Sequence, residues 1–212
     1  MIDGLNVAFF DIDGTLHHGD TIWETIHKKN GTWESHGRVY LEKYLNKQIN
    51  FKEFACLDVA AWKGLSEAVV LEAVAEFKVV PEAERLLNKL RATGVDVYLV
   101  TNSLSHVARD IVARLGLTGH ISNDLIVHDG RLTGEILINI DYYDKGDVVR
   151  KILAEMNNPV SLAIGDGGND LAMLKEVTYP ILYNPKERSF PDYKGFVARD
   201  WGEVLGHVRR GT

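Results

Sequence analysis

The stretch VAFFDIDGTL, residues 7–16, joins four apolar residues to two aspartates that are separated by one position. The apolar run Val7–Phe10 shows no alternation, which is typical of a central parallel strand that is buried on both faces. Asp11 follows this run directly, and Asp13 comes two residues later. Open parallel sheets bind their ligands at the carboxyl ends of their strands. The stretch therefore predicts a central strand with two carboxylates at its ligand-binding edge.

Two later apolar runs repeat this arrangement. Residues 95–100 precede Thr101 and Asn102, and residues 160–164 are followed, after one glycine, by Asp166. The strands of a parallel sheet point in one direction, so the polar residues that follow them meet at one edge. We therefore expect these side chains to lie close to the two aspartates of the first stretch.

Helical patterns alternate with the apolar runs. One helix is predicted from Pro81 to a terminating Gly94, with leucines on one face. A second is predicted from about Ser105 to a terminating Gly116, and a third follows Lys145. Alternating strands and helices predict an α/β fold, a Rossmann-like doubly wound parallel sheet with right-handed crossovers.

Residues 17–79 interrupt the alternation. This stretch has no strand-like run, and it holds four helical patterns and three of the four tryptophans. It predicts an all-helical cap domain inserted into a Rossmann-like core that comprises residues 1–16 and 80–212. Large aromatic side chains in such a bundle are expected to form its core rather than the wall of a binding site. The aromatic residues in question are Trp23, Trp33, Phe54 and Trp62.

A short segment breaks the alternation in a different way. Asp129 and Gly130 separate the apolar residues 125–127 from Leu132. A two-residue Asp-Gly loop favours the turn that joins two antiparallel strands. We therefore expect a small antiparallel hairpin beside the parallel sheet.

Composition narrows the class of protein. The 212 residues carry a formal net charge of −6, which gives no positive field for nucleic acid or an anionic membrane surface. No apolar run approaches the ~20 residues that cross a bilayer, and the first residues do not resemble a signal peptide. Cys56 is the only cysteine, which excludes an internal disulfide and fits a cytoplasmic location. We expect Cys56 to be a small buried residue.

The polar residues that end the strands favour a metal site. Three carboxylates that lie close together repel one another unless a cation neutralises them, and Mg²⁺ prefers oxygen ligands. Each element alone has an ordinary explanation, because an aspartate after a strand also forms turns and caps helices. The joint occurrence of all of them favours a catalytic set. Its members are Asp11, Asp13, Thr101, Asn102, Lys145, Asp166 and Asp170.

These residues resemble the four ordered motifs of the haloacid dehalogenase superfamily. The matching segments are DIDGTL at 11–16, VTNS at 100–103, Lys145 and GDGGND at 165–170. Within that superfamily, the helical insertion, the hairpin LIVHDGRLTGEI and the segment YDKGDVV are most similar to the phosphoserine phosphatase branch. The resemblance implies a phosphoryl-transfer enzyme that acts on a small phosphorylated metabolite.

The resemblance also implies a role for each matching residue. Asp11 would attack phosphorus, and Asp13 would protonate the leaving group and then activate water. Thr101, Asn102 and Lys145 would hold the phosphoryl oxygens, and Lys145 would also offset the charge of Asp11. The implied Mg²⁺ ligands are Asp11, the main-chain carbonyl of Asp13, and Asp166, with Asn169 and Asp170 in supporting positions.

Substrate recognition by the cap is less defined. Asp20 lies nine residues after Asp11, where the phosphoserine phosphatase branch has a glutamate that binds the substrate amino group. Alternatively, Asp20, or Thr21 together with Glu24, simply begins the first cap helix.

A second cap position differs from that branch. The branch has an arginine for the substrate carboxylate at a position that aligns without gaps near Asp58 and Val59, and no arginine occurs between Arg38 and Arg85. A substrate carboxylate would lack a bidentate partner, which disfavours phosphoserine itself.

The sequence thus predicts a Mg²⁺-dependent phosphatase that hydrolyses a small phosphomonoester through an aspartyl-phosphate on Asp11. A phosphotransferase or phosphomutase with the same intermediate remains an alternative. A signalling module that only stores phosphate on an aspartate is disfavoured, because Asp13 is placed to hydrolyse the adduct and such modules have no cap. Dehalogenases do not need Asp13, and ion pumps of the superfamily need membrane helices, so neither activity fits.

Overall fold

The computed structural model describes residues 2–186, 190 and 193–211. Within these residues, seven strands form one sheet in the order β4-β3-β2-β1-β5-β6-β7. The strands are β1 (Val7–Phe10), β2 (Asp96–Leu104), β3 (Gly119–His128), β4 (Arg131–Leu137), β5 (Ser161–Gly165), β6 (Tyr179–Tyr183) and β7 (Phe196–Ala198).

Strand β1 occupies the centre of the sheet. It pairs in parallel with β2 on one side, where Val7 aligns with Asp96, and with β5 on the other, where Val7 aligns with Ser161. Every neighbouring pair in the described sheet is parallel except β3 and β4. This arrangement confirms the predicted α/β fold with a mostly parallel sheet.

Both faces of the sheet are covered by apolar side chains. Ala8 and Phe10 of β1 point into the larger of two buried clusters, and Val7 and Phe9 point into the other. All four residues have 0% exposure, which explains why the strand needs an uninterrupted apolar run. The helices that follow the first insertion are α5 (Pro81–Ala92), α6 (Ser105–Leu115), α7 (Lys145–Glu155), α8 (Leu171–Leu174) and α9 (Trp201–Arg210).

The three helices predicted in the core begin and end as expected. Pro81 opens α5, and Gly116 ends α6 with a left-handed backbone at φ 61°. Lys145 is the first residue of α7 and is completely buried. A lysine at a helix start is normally solvated, so this burial marks a specific electrostatic role.

Four helices, here called the cap helices, lie between β1 and α5. A short π-helical segment, Trp33–Gly37, precedes the second of them. The main-chain N–H of Val80 donates a hydrogen bond to the carbonyl of Leu16 at 2.8 Å, which brings the two ends of the insertion together. The division into a cap at 17–79 and a core remains our prediction. The cap helices are α1 (Ile22–Lys29), α2 (Arg38–Leu45), α3 (Phe51–Ala61) and α4 (Glu67–Glu76).

The predicted hairpin is present, and it also contacts the cap helices. Asp129 and Gly130 adopt positive φ values of 49° and 70°, as the tight turn between β3 and β4 requires. Leu132 of β4 exchanges main-chain hydrogen bonds with the loop between α3 and α4, accepting from Gly64 at 2.8 Å and donating to Leu65 at 2.9 Å. The hairpin thus joins the sheet to the insertion, a role that the turn signal alone did not predict.

The expectation that Cys56 is buried is wrong, because its side chain is exposed. Helix α3 buries Phe51, Phe54 and Ala55, together with Asp58 and Val59 one turn further on. Residues at this helical spacing share one face, and Cys56 lies on the opposite one.

None of the helices in the described part of the chain combines the length and the apolar character that crossing a bilayer requires.

Helix α3 is fixed at its start by a capping box. The Asn50 side chain accepts a hydrogen bond from the main chain of Glu53 at 2.9 Å, and the Glu53 carboxylate accepts one from the main chain of Asn50 at 2.8 Å. Asn50→Ala should lower the free energy of unfolding by about 1 kcal/mol, or roughly 2–4 °C in a thermal melt. Lys52→Ala, at an exposed position in the same turn, is the control; an equal loss in both variants would contradict the capping role.

Candidate active site

The carboxyl ends of β1, β2 and β5 meet at one edge of the sheet, as the sequence predicts. Asp11 follows β1, Thr101 and Asn102 lie near the carboxyl end of β2, and Asp166 follows β5. The pairing of β2 with β3 is irregular between Val100 and Leu104, so the main chain leaves the regular ladder where the polar residues occur. Parallel strand direction therefore gathers side chains that are far apart in sequence.

A buried lysine connects the two ends of this constellation. The Nζ atom of Lys145 is 2.6 Å from Oδ1 of Asp11 and 2.6 Å from Oδ1 of Asp170. Lys145 and Asp170 have 0% exposure and Asp11 has 3%. An ammonium held between two carboxylates in a dry environment makes short, charge-assisted hydrogen bonds. The predicted role of Lys145 in offsetting the charge of Asp11 agrees with this contact.

Asp170 is held rigidly by both of its carboxylate oxygens. While Oδ1 binds Lys145, Oδ2 accepts hydrogen bonds from the main-chain N–H groups of Asp166 and Gly167, both at 3.0 Å. A Cβ atom at Gly165 would overlap the Asp170 carboxylate, so this position requires glycine. Asp170 therefore fixes the loop that carries Asp166.

Burial dominates the electrostatics of the acidic groups. It raises the pKa of Asp11 well above its usual value even though Lys145 acts in the opposite direction. It also raises the pKa of Asp13 and, with the charge of Asp170, raises the pKa of Asp166 to about 6. Burial alone would lower the pKa of Lys145, but Asp11 and Asp170 outweigh it and raise that pKa. The cluster thus holds more negative charge than one ammonium neutralises.

This excess of negative charge suits a divalent cation. Within the described residues, carboxylate oxygens of Asp11, Asp166 and Asp170 lie within 4.8 Å of one another. Asp170 is already bound through both oxygens, and the contact of Asp11 with Lys145 uses Oδ1. Asp11 and Asp166 are therefore the side chains suited to bind the ion directly, with Asp170 behind them. The Asp13 side chain is not in this group, so a metal contact from Asp13 would come from its main-chain carbonyl.

Gly14 permits the close approach of the first strand to the Asp166 loop. Its backbone has a φ of 90°, which favours glycine, and a Cβ atom there would overlap the Asp166 carboxylate. The neighbouring Thr15 hydroxyl lies 3.5 Å from Oδ1 of Asp166. The Gly-Thr pair of the first motif thus has a physical reason, because it lets an acidic side chain from another strand lie against the main chain.

Asp13 lies apart from the lysine and faces an open cavity. Its Oδ1 atom is buried and has no regular hydrogen-bond partner in the described protein. The nearby Ser103 hydroxyl stabilises the ionised form and so opposes the rise in the pKa of Asp13. A carboxyl group with a raised pKa and a free oxygen is suited to exchange a proton with a ligand.

Side-chain amides hold the second motif in place. Asn102 donates from Nδ2 to the carbonyl of Ile140 at 3.2 Å and accepts on Oδ1 from Asn169 at 3.1 Å. Asn123 donates to the main-chain carbonyl of Asn102 at 3.0 Å. Asn102 thus keeps one amide hydrogen that these two contacts do not use. Thr101 is 1% exposed, and its hydroxyl oxygen accepts from the main chain of Ser103 at 3.1 Å.

A cavity of about 220 Å³ extends from these residues to the cap helices. Its floor contains Asp11 and Asp13, with Thr101, Asn102 and Asn169 beside them. Its opposite wall is formed by residues of the insertion. This wall includes four aromatic and two acidic side chains, those of Trp23, Trp33, Tyr44, Phe54, Glu24 and Asp58.

Comparison with known proteins agrees with this geometry. The family of haloacid dehalogenase-like hydrolases matches residues 8–175. The chain belongs to this family. It is 31% identical to the phosphoserine phosphatase of Idiomarina loihiensis over 206 residues, which cover 95% of the chain and 92% of that protein. It is 30% identical to the phosphoserine phosphatase of Archaeoglobus fulgidus, of which it spans only 52%.

The fold is also shared with a solved member of the family. A structure described as a phospho-aspartyl intermediate analogue of phosphoserine phosphatase superimposes with a TM-score of 0.80 at 26% identity. The match covers 97% of this chain and 99% of the other. Together with the curated relatives, it makes this family member a phosphoric monoester hydrolase.

Asp20 lies away from the cavity of this hydrolase. Its side chain is 50% exposed, and Oδ2 is 2.5 Å from Nζ of Lys28. Thr21 caps helix α1 by accepting a hydrogen bond from the main chain of Glu24 at 3.3 Å. The alternative reading, in which this segment begins the first cap helix, therefore describes the local structure, and Glu24 rather than Asp20 lines the cavity.

Sequence reasoning missed several residues of the site. Asn123 orders the loop after β4, because its Oδ1 accepts main-chain hydrogen bonds from Asn139 and Ile140 at 2.9 and 3.0 Å. A buried asparagine inside a strand was the signal that could have identified it. Ser103 also lines the cavity, and its position directly after Thr101 and Asn102 in the second motif could have indicated this.

The repulsion in the acidic cluster can be measured through stability. Because the folded state raises the pKa of Asp166 to about 6, it binds that proton more tightly than the unfolded chain does, and stability falls as pH rises through this window. In chelator at neutral pH, Asp166→Asn should therefore raise the free energy of unfolding by up to about 3 kcal/mol. The thermal midpoint would rise roughly 2–4 °C per kcal/mol.

The surface variant Asp110→Asn is the matched control for this measurement. Among the residues of known placement, Asp110 pairs at the surface with Arg114, so its loss should change the midpoint little. Added Mg²⁺ should stabilise the parent protein more than Asp166→Asn. A lower midpoint for Asp166→Asn in chelator would contradict the proposed repulsion.

Proposed function

We propose that this hydrolase cleaves a small phosphomonoester, with Mg²⁺ bound, through an aspartyl-phosphate intermediate on Asp11. The observation that carries the proposal is the setting of Asp11. Its carboxylate is buried, is bound by Lys145 at 2.6 Å, belongs to an acidic cluster, and lies on the floor of a cavity. A carboxylate in this setting is ionised when a cation is bound and can attack phosphorus without losing a proton.

The reaction has two balanced steps. An oxygen of Asp11 bonds to phosphorus, the ester P–O bond breaks, and the leaving alkoxide takes a proton from Asp13. Asp13 then removes a proton from water, and the resulting hydroxide attacks phosphorus. The bond between phosphorus and Asp11 breaks, so that phosphate leaves, Asp11 regains its carboxylate and Asp13 regains its proton. The raised pKa of Asp13 supports its role as the proton carrier.

The chain holds the reacting groups by charge and position. Asp11, Asp166 and the carbonyl of Asp13 would bind the Mg²⁺ ion, and Asp170 would orient Asp166 through its loop. A bound Mg²⁺ ion supplies positive charge that stabilises the phosphoryl oxygens. Thr101 and Asn102 would donate hydrogen bonds to those oxygens.

Several finer predictions accompany this function. The cap helices would close the site against bulk water, with residues 17–79 acting as the cap domain. The relatives are phosphoserine phosphatases, but for this chain we propose only the wider substrate class of small phosphomonoesters, because the cap of this chain lacks the expected arginine. The single cysteine still predicts a cytoplasmic location.

Replacement of the nucleophile gives the decisive test. Asp11→Asn keeps the shape of the side chain but removes the attacking charge, so Mg²⁺-dependent release of p-nitrophenol from p-nitrophenyl phosphate should fall by at least about 10³-fold. The matched control is Asp129→Asn at the exposed tip of the hairpin, which should keep full activity.

Two outcomes would contradict the proposal in different ways. Full activity in Asp11→Asn would exclude Asp11 as the nucleophile. Inorganic phosphate and p-nitrophenol should also form in equal amounts; a deficit of phosphate in the presence of an added alcohol would indicate transfer to that alcohol rather than hydrolysis.

Asp13 should matter in proportion to how poor the leaving group is. Alkoxides need a proton, whereas p-nitrophenolate leaves without one, so Asp13→Asn should reduce kcat/KM far more for an alkyl phosphate than for p-nitrophenyl phosphate. We expect a difference between the two losses of about 10²-fold, the usual size of acid catalysis. Equal losses for both substrates would assign Asp13 a structural role.

A further inference from the structure

The cavity has a second end, away from the carboxylates of the floor, that the chemistry of phosphoryl transfer does not use. In the proposed function this end receives the alcohol part of the substrate. Its walls contain the rings of Trp23, Trp33, Tyr44 and Phe54. Trp23 and Phe54 belong to the buried core, as expected from the sequence, and they also form part of the cavity wall. Trp33 lines the cavity as well, which the sequence did not predict. Trp62 alone among the four is fully buried and behind that wall.

Positive charge is missing from this wall. Among the residues that the structure describes, the lining of the cavity includes no lysine, arginine or histidine, whereas it includes the carboxylates of Glu24 and Asp58. A substrate with a carboxylate near this wall would meet repulsion and no cationic partner. The wall thus excludes one class of leaving group and favours the opposite charge.

The two wall carboxylates differ in how they are compensated. Glu24 lies 2.8 Å from Nζ of Lys28 at the outer part of the wall, and 24% of its side chain is exposed. Asp58 is 1% exposed, and its Oδ1 atom makes no regular hydrogen bond. Among the described residues, Asp58 is therefore the wall carboxylate that has no lysine or arginine in contact with it; its ionic contact is with His27.

Among the described residues, the basic side chain in contact with Asp58 is His27. Nε2 of His27 is 3.2 Å from Oδ1 of Asp58, but the two groups are misaligned for a hydrogen bond. The indole N–H of Trp62 donates to Nδ1 of His27 at 3.2 Å, and Thr32 also lies 2.8 Å from that nitrogen. Because Nδ1 accepts from the indole, Nε2 is the ring nitrogen whose N–H faces Asp58.

The buried carboxylate of Asp58 raises the free energy of the folded protein when no ligand is bound, because His27 compensates its charge only in part. Burial raises the pKa of Asp58, and contact with His27 only partly opposes the rise. A cation that enters the cavity would reduce this penalty, because it adds positive charge beside a carboxylate that His27 compensates only in part.

The surrounding rings suit the same kind of ligand. Tyr44 stacks on Phe54 with 5.2 Å between ring centroids, and Trp23 lies 5.9 Å from Phe54. Aromatic faces attract ammonium groups, and cages of such rings bind quaternary ammonium ligands. One face already behaves in this way, because Nζ of Lys28 lies 5.8 Å from the centroid of Trp33.

We propose that the preferred substrate is the phosphate ester of a small amino alcohol whose nitrogen is cationic and which carries no carboxylate. This inference rests on the proposed function, because it assigns the alcohol part of the substrate to the same cavity. The ammonium group lies between the aromatic wall and Asp58 while the phosphate lies at Asp11. The cavity of about 220 Å³ is smaller than the ~300–1,000 Å³ of sites that take drug-sized ligands, so the alcohol is short.

The first experiment uses the unmodified protein and two pairs of matched substrates. Phosphocholine and 3,3-dimethylbutyl phosphate have the same shape and differ only in the charge of the head group. Phosphoethanolamine and phosphoserine differ only in the carboxylate. We expect kcat/KM to be at least tenfold higher for phosphocholine, phosphoethanolamine or both than for 3,3-dimethylbutyl phosphate, and at least tenfold higher for phosphoethanolamine than for phosphoserine.

The second experiment asks whether Asp58 provides the preference. Asp58→Asn keeps the shape of the side chain and removes its charge, so the ratio of kcat/KM between the better cationic ester and 3,3-dimethylbutyl phosphate should fall at least tenfold. The ratio is the readout, because a purely structural role of Asp58 would lower kcat/KM for both esters alike and leave the ratio unchanged. Glu72→Gln, on the exposed face of α4 outside the cavity, is the matched control and should keep the ratio.

The outcomes separate this inference from the proposed function. Equal kcat/KM for the charged and neutral esters, or a preference for phosphoserine, would overturn the cationic substrate while leaving Asp11-dependent hydrolysis intact. Absence of any Asp11-dependent hydrolysis, including that of p-nitrophenyl phosphate, would overturn the proposed function and this inference with it. If Asp58→Asn does not fold, the substrate pairs with the unmodified protein still decide the question.

Discussion

The ion triad of Asp11, Lys145 and Asp170 is the interaction on which the rest of the site depends. Its two contacts, both 2.6 Å long, join the first strand, the start of α7 and the loop after β5 in a region closed to solvent. Removal of one partner would leave a buried charge uncompensated, which is strongly destabilising in proteins. Asp170 in turn orders the loop of Asp166 through two main-chain hydrogen bonds. The triad therefore positions both Asp11, the proposed nucleophile, and Asp166, the side chain suited to bind a metal.

The cavity divides the molecule by function. Its floor is built at the carboxyl ends of three parallel strands, where rigid elements hold the reacting groups, and its far wall is built from helices α1 to α3 and the segment between them. The β3-β4 hairpin fastens the insertion to the sheet through hydrogen bonds between Leu132 and the loop after α3. In the proposed function, the reaction and the selection of the substrate therefore lie on different elements. The wall can then differ between relatives while the floor keeps its geometry.

The sequence predicted the parts of the structure that depend on local pattern. The uninterrupted apolar run Val7–Phe10 indicated a strand covered on both faces, and the position of Asp11 after it placed this carboxylate at the edge of the sheet. Cys56 and Asp58 were not predictable in the same way, because the register of α3 against its neighbours decides which of them is buried. The orientation of the His27 ring toward Asp58 depends on a hydrogen bond from Trp62, 35 residues away, that no spacing rule indicates.

The central claim is that Asp11 receives the phosphoryl group, and it can be observed directly. Slowing the second step by Asp13→Asn should let the intermediate accumulate during turnover of p-nitrophenyl phosphate. After rapid acid quenching, peptide mass spectrometry should locate the phosphate on Asp11 within the segment DIDGTL. A phosphate found on another residue, or no covalent phosphate while p-nitrophenol is still released, would contradict the account.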